Sequence, residues 1–162
     1  MEKIPMTPKG HQALMEELRQ LKETDRPQVI QEIAVAREHG DLRENAEYHA
    51  AREKQSFIEG RIQELESVLS RVEVIDFTKF DGETVRFGAT VQVYEEESEK
   101  EHRYMIVGHY EADISQNKLS LQAPLSRALI GKAVGDVVAV AAPGGQKSYE
   151  IVAVHYTEHF NN

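Results

Sequence analysis

At 162 residues and a net charge of −9, the chain has room for one domain or two small ones, and it lacks the basic excess that would hold nucleic acid by bulk phosphate attraction. The absence of cysteine excludes disulfides, thiolate metal sites and a thiol nucleophile, and fits a reducing compartment. No stretch approaches the roughly 20 apolar residues of a membrane span, and the first seven residues lack the apolar run of a signal peptide, so a cytoplasmic protein with no membrane contact is expected.

Thr7-Pro8 opens a predicted helix. Threonine caps, and proline fits the first helical position because its missing N–H would have no partner there. Leu14, Leu18 and Leu21 follow at helical spacing. Continuing that stripe reaches Asp25 and Gln28, so it fails; it restarts in a shifted phase at Ile30 and Ile33, helped by Val29 and Ala34. With Pro27 at the shift, a kink or break is predicted at residues 24–27.

The second helix is more regular. Tyr48, Ala51, Gln55, Ile58, Ile62, Leu65, Leu69 and Val72 step alternately by three and four, a heptad seam flanked by Glu, Arg, Lys and Gln. Such a seam needs a partner. The connection around residues 39–45 is short, so helix one folding back antiparallel is the favoured partner, with a second copy of the helix as the competing one. Arms of about 26 residues at ~1.5 Å each would make a hairpin of roughly 40 Å.

After Val72 the period changes. Residues 74–77 form a short strand candidate, residues 89–93 alternate as a half-buried strand, and residues 95–100 read as a charged hairpin loop. Residues 103–108 carry Tyr104 and Ile106 on one face and Met105 and Val107 on the other; residues 118–122 make a further strand. Residues 124–130 read as a short helix begun by Pro124 and stopped by Gly131. Residues 137–142 and 148–156 flank the turn signal Pro143-Gly144-Gly145, and residues 157–162 are expected to be a frayed tail. The fold class expected is α+β: a long antiparallel helical hairpin over residues 1–76, then a compact, mainly antiparallel sheet with a short helix over residues 77–162.

The connection between the helices carries the chemistry. Gly40 suits the left-handed residue that ends helix one. Asp41 and Glu44 have the spacing of a capping box for helix two, and both could also serve as ligands, since Mg²⁺ takes oxygen donors from one or two carboxylates and leaves the rest to water and phosphate. Two carboxylates are half a site; they become useful where another protein supplies further ligands and a phosphodiester. His39 with Asp41 and Glu44 raises a self-contained metal hydrolase, although the spacing does not match H-E-x-x-H. Arg37, Arg43 and Arg52 lie nearby, either as a solvated face or as phosphate contacts.

Ile4-Pro5-Met6-Thr7, the segment from Arg37-Glu38-His39-Gly40-Asp41-Leu42-Arg43-Glu44-Asn45-Ala46 to Glu47-Tyr48-His49-Ala50-Ala51-Arg52-Glu53, then Glu59-Gly60-Arg61-Ile62, Phe87-Gly88-Ala89-Thr90-Val91, Leu129-Ile130-Gly131-Lys132 and Pro143-Gly144-Gly145 together resemble the bacterial GreA/GreB transcript cleavage factors over nearly the whole chain. The resemblance implies an N-terminal antiparallel coiled coil whose acidic tip lies near residues 39–47, and a C-terminal domain of FKBP-like fold that docks on RNA polymerase. It implies that the coiled coil enters the secondary channel, where Asp41 and Glu44 help place a shared, weakly held Mg²⁺ while the polymerase cleaves the 3′ end of backtracked RNA. It thus implies an accessory factor rather than an enzyme, monomeric when free and holding no cofactor of its own. A non-cleaving channel regulator of the same fold is the alternative. Arg43 stands where relatives often have lysine, and Gln122-Ala123-Pro124 where they often have Ser-Pro or Asp-Pro; Ala123, Pro124, Ser126 and Arg127 are the docking candidates that follow.

Overall fold

The computed structural model describes residues 2–40 and 45–157. It is α+β and divides into two compact units: residues 1–4 with 11–72, and residues 5–10 with 73–162. Asp41, Arg43 and Glu44, together with the end of the expected tail from residue 158, lie outside the described residues.

The chain enters through strand β1 (Ile4–Met6), which pairs with β2 (Val72–Val74). Helix α1 (Pro8–Gln20) begins as expected: the Thr7 hydroxyl oxygen accepts from Gly10 N–H at 3.1 Å, with Pro8 as the first helical residue. No break follows. Residues Leu21–Asp25 form a single π turn, in which the Arg26 N–H reaches back to Leu21 C=O, and α2 (Arg26–Arg37) continues from it with helical dihedrals at Gln20, Asp25 and Arg26. Pro27 falls in the first turn of α2, where its missing N–H costs least.

The π turn inserts one residue into the helical count. Leu14 and Leu21 are seven apart, and a further seven would reach Gln28; the inserted residue moves the face to Val29, followed by Ile33 and Ala36. All five apolar residues are buried. The expected restart at Ile30 is therefore corrected, since Ile30 is 52% exposed.

Helix α3 (Ala46–Leu69) returns against this face and buries Ala51, Ile58, Ile62, Leu65 and Val68. The seam stops one turn early: Val72 belongs to β2. Arg61 grips Glu17 bidentately at 2.6 and 2.9 Å, and Arg26 grips Glu59 at 2.8 Å through each arm of its guanidinium. Lys22–Glu66 at 3.5 Å and Lys54–Glu32 at 3.4 Å add two more, and from Lys22 through Arg26 to Glu32 the partners fall from Glu66 through Glu59 to Lys54, the order of antiparallel arms, with Glu17–Arg61 alone out of sequence. Such solvent-screened pairs select register more than they stabilise.

In the second unit, residues 74–77 are not a strand. β2 ends at Val74, and Phe77–Lys79 is a 3₁₀ turn started by the Asp76 carboxylate, which accepts from Thr78 N–H at 3.1 Å. A five-stranded sheet follows, built from β3 (Thr90–Glu95), β4 (Lys100–Val107), β5 (Lys118–Ser120), β6 (Val137–Ala142) and β7 (Gly145–His155) in the order β5-β4-β3-β7-β6. All pairings are antiparallel except β4 with the short edge strand β5, so the sheet is mixed at that edge. Helix α4 (Pro124–Leu129) packs with one face through Leu129, against Val85, Val91, Val93, Ile106, Val138 and Ile151. Met105 and Val107 meet Phe77 on the other face, which is the division the alternation predicts. Gly88 has a φ of +86°, and a Cβ there would lie 2.4 Å from Cβ of Phe77, so only glycine fits.

The re-phased stripe gives a direct comparison. Ile33→Ala should destabilise the protein by about 2–5 kcal/mol and Ile30→Ala by less than ~0.5 kcal/mol, read as shifts of the urea midpoint in otherwise identical chains.

Candidate functional site

The two helix ends that flank residues 41–44 are held by one side chain. Asn45 is the N-cap of α3: its Oδ1 accepts from Tyr48 N–H at 3.0 Å, and its Nδ2 donates to the Ala36 C=O at 2.6 Å. The first contact satisfies an N–H that a helix start leaves without an in-helix partner, and the second adds a donor to the Ala36 C=O, which also accepts from His39 N–H at 3.1 Å. The Asp41–Glu44 capping box is thereby corrected, because α3 starts after Asn45 and the cap is taken by an amide. An Asn before a run of helix formers carries this signal in the sequence; the acid pair three apart outcompeted it as a pattern.

Beyond Arg37, α2 winds down through Glu38, whose N–H donates to Val35 C=O, and His39, whose N–H donates to Ala36 C=O, both at 3.1 Å. Gly40 takes a φ of +104°, the left-handed conformation expected of it, two residues past the cap. Arg37 is exposed and lies 6.0 Å from the centre of the Tyr48 ring, at the outer range of a cation–π contact. Tyr48, expected only as a seam residue, is thus a stacking partner as well, and it meets His49 edge-on at 5.6 Å. Arg52 is exposed one turn further along α3, and no ion pair to it forms among the described residues. His39 Nε2 is 4.0 Å from Glu47, a contact that becomes an ion pair only when the imidazole is protonated.

No group of three or more His, Cys, Asp or Glu that could hold a metal is present among the described residues. Two of the three members of the His39, Asp41, Glu44 set lie outside them. Of the docking candidates, Pro124 and Arg127 are exposed and Ala123 is half-buried at the N-cap of α4. Ser126 is corrected: it is fully buried, so its hydroxyl cannot meet a partner's surface. Among the described residues no helix is long and apolar enough to cross a membrane.

A second polar cluster lies at one end of the sheet. Glu95 is 6% exposed and accepts from Ser98 Oγ, lies 3.3 Å from Lys147 Nζ and 3.3 Å from the Tyr149 hydroxyl, and has His102 Nε2 at 3.6 Å. The Ser98 hydrogen bond, with Lys147, holds its carboxyl down to about 2, whereas burial and the Glu95 charge push the Tyr149 phenol up to about 12. Every acceptor position is occupied from within the chain, so the cluster closes the turn between β3 and β4 rather than offering ligands.

Two family descriptions match the chain: "Transcription elongation factor, N-terminal" over residues 4–74, and "Transcription elongation factor, GreA/GreB, C-term" over residues 81–156. The chain is 60% identical over 156 residues to the transcription elongation factor GreA of Rhodospirillum rubrum, covering 96% of this chain and 99% of the relative. The same identity and coverage hold for GreA of Paracoccus denitrificans. GreA of Ruegeria pomeroyi is 59% identical over 157 residues, with 97% and 100% covered. Among solved structures it is similar to GreA factor homolog 1 of Thermus thermophilus, at 27% identity and a TM-score of 0.44 with 95% and 99% covered. It is also similar to the GreA/GreB factor of Nitrosomonas europaea, at 26% identity and 0.43 with 95% and 100% covered.

Two outcomes follow from these contacts. Asn45→Ala should cost about 1 kcal/mol of stability, and Asn45→Asp, which keeps the acceptor and loses the donor to Ala36, should recover part of it in thermal unfolding. Because the Glu95 carboxyl sits below its ordinary value of 4.5, its contribution is complete above that pH and is lost as pH falls toward about 2. Glu95→Gln should therefore lower the urea midpoint at pH 6, and the gap to the unaltered protein should close progressively below pH 4.5.

Proposed function

The chain belongs to the GreA/GreB family of transcription elongation factors, and from that premise we propose that it binds RNA polymerase and stimulates cleavage of the 3′ end of backtracked RNA by the polymerase's own active site. In this reading residues 1–76 are an antiparallel coiled coil that enters the secondary channel, and residues 77–162 are an FKBP-like domain that docks on the enzyme through Ala123, Pro124 and Arg127. The protein is an accessory factor, cytoplasmic, and monomeric at low concentration.

The observation that carries the proposal is the cap. Asn45 takes the start of α3 and the Ala36 carbonyl, so the helix does not need Asp41 or Glu44 for capping. Their carboxylates are hard anionic oxygen donors, the type Mg²⁺ prefers, and two of them leave most of the coordination sphere to a partner, to water and to phosphate. An ion held jointly there supplies water activation and charge neutralisation at the phosphodiester. This chain's own contribution in this reading is the two acids of the connection, whose flanks Asn45 fastens. Arg37, whose guanidinium lies over the Tyr48 ring, together with Arg52 and Arg43, offers planar donors to the phosphates of the RNA 3′ end.

Asp41→Ala should lower the rate of transcript shortening in stalled polymerase complexes by about 10²-fold or more, the scale of losing one electrostatic stabiliser, with polymerase binding retained in a pull-down. Shortening at the unaltered rate would overturn the mechanism. Slowed elongation with no shortened transcript from the unaltered protein would instead make it a non-cleaving channel regulator.

A further inference from the structure

We propose that β6 is a pairing edge for a second copy of this chain. β6 ends the sheet order, and among the described strands only β7 hydrogen-bonds to it. The phase of the ladder follows from two facts: Ile151 N–H donates to Asp136 C=O at 2.9 Å, and Val137 lies opposite Glu150. In an antiparallel ladder that makes Val137–Glu150 a non-hydrogen-bonded pair, so Val138, Val140 and Ala142 turn their backbone groups to β7. Val137, Ala139 and Ala141 turn theirs outward, and no described residue is bonded to them. Their side chains are exposed too, Val137 by 55%.

Edge strands are ordinarily protected by charge, proline, a bulge or a covering element. β6 is Val-Val-Ala-Val-Ala-Ala, with no charge and no proline, and its register with β7 runs unbroken over all six residues. The occupant is chosen by self-complementarity. Two copies of β6 meeting antiparallel about Ala139 place Val137 against Ala141 of the other copy and Asp136 against Ala142, so no like charges face each other. The three facing pairs exchange about six hydrogen bonds, two per pair, and the small exposed side chains meet their like. A lone six-residue strand pair falls below the roughly 1,200 Å² of a standard interface, so the dimer is weak, half-formed at ~0.1–1 mM.

The test is sedimentation equilibrium of the full chain from micromolar to ~1 mM at physiological ionic strength, where a Debye length of about 8 Å confines the repulsion of the −9 charge. Concentration-dependent dimerisation is expected. Ala139→Pro removes only an outward N–H, and Val137→Lys places a charge on the edge without touching the backbone; each should weaken the dimer at least tenfold with circular dichroism unchanged. Backbone amide exchange should slow with concentration at 137, 139 and 141 and stay constant at 138 and 140. A monomer throughout the range, or a dimer that both variants preserve, overturns the proposal; if Ala139→Pro does not fold, Val137→Lys and the exchange pattern decide it.

Discussion

The helical unit depends on matching two apolar stripes that do not share a phase. The α3 seam through Ala51, Ile58, Ile62 and Leu65 is regular. The opposing stripe of α1 and α2 would drift off it at Gln28 if the helix were continuous in its hydrogen bonding. One wider turn at Leu21–Asp25 takes up a single residue and returns Val29, Ile33 and Ala36 to the interface. The cost is a locally poorer ladder, placed where Pro27 would have interrupted the ladder in any case. Buried contact of this kind, summed over the five apolar residues on each side, outweighs the exposed ion pairs, whose part is to reject other registers.

The connection is organised by the same economy. A helix end leaves backbone groups without partners, and here one amide serves two ends at once, donating to α2 and accepting from α3. A carboxylate could not do this, because it has no N–H to give to Ala36. Asparagine is therefore the side chain that ties both termini.

The sheet unit uses charge in the opposite manner. Glu95 is nearly buried yet fully partnered by Ser98, Lys147 and Tyr149, so it stays ionised far into the acid range and closes the β3–β4 end. Glu111 is likewise surrounded, accepting from Thr7 N–H at 3.1 Å, from the Thr7 hydroxyl, and from Gly108 N–H at 2.8 Å, although burial still raises its pKa. These bonds bind residues 5–10 into that unit and explain Gly10, where a Cβ would collide with the Glu111 side chain. Among the described residues β6, at one edge of the five-stranded sheet, turns one row of backbone groups away from the chain.

Periodicity and short-range chemistry were sufficient for much of this. The α3 seam, the Thr7-Pro8 start, the two faces of β4, the β6–β7 hairpin and the family resemblance were legible because each depends on spacing along the chain or on a local run of residues. Three features were not. Whether a phase slip becomes a break or a π turn is decided by the partner helix, which rewards the arrangement that keeps Val29 rather than Ile30 inside. Which of Asp41 and Asn45 caps α3 depends on an acceptor nine residues back at Ala36, invisible to a local pattern. Ser126 reads as an exposed polar residue in a short helix, but the sheet beneath α4 buries it. Sequence alone determined which residues prefer which local conformation; the tertiary structure decided among competing local choices, because burial and backbone satisfaction are properties of what lies opposite.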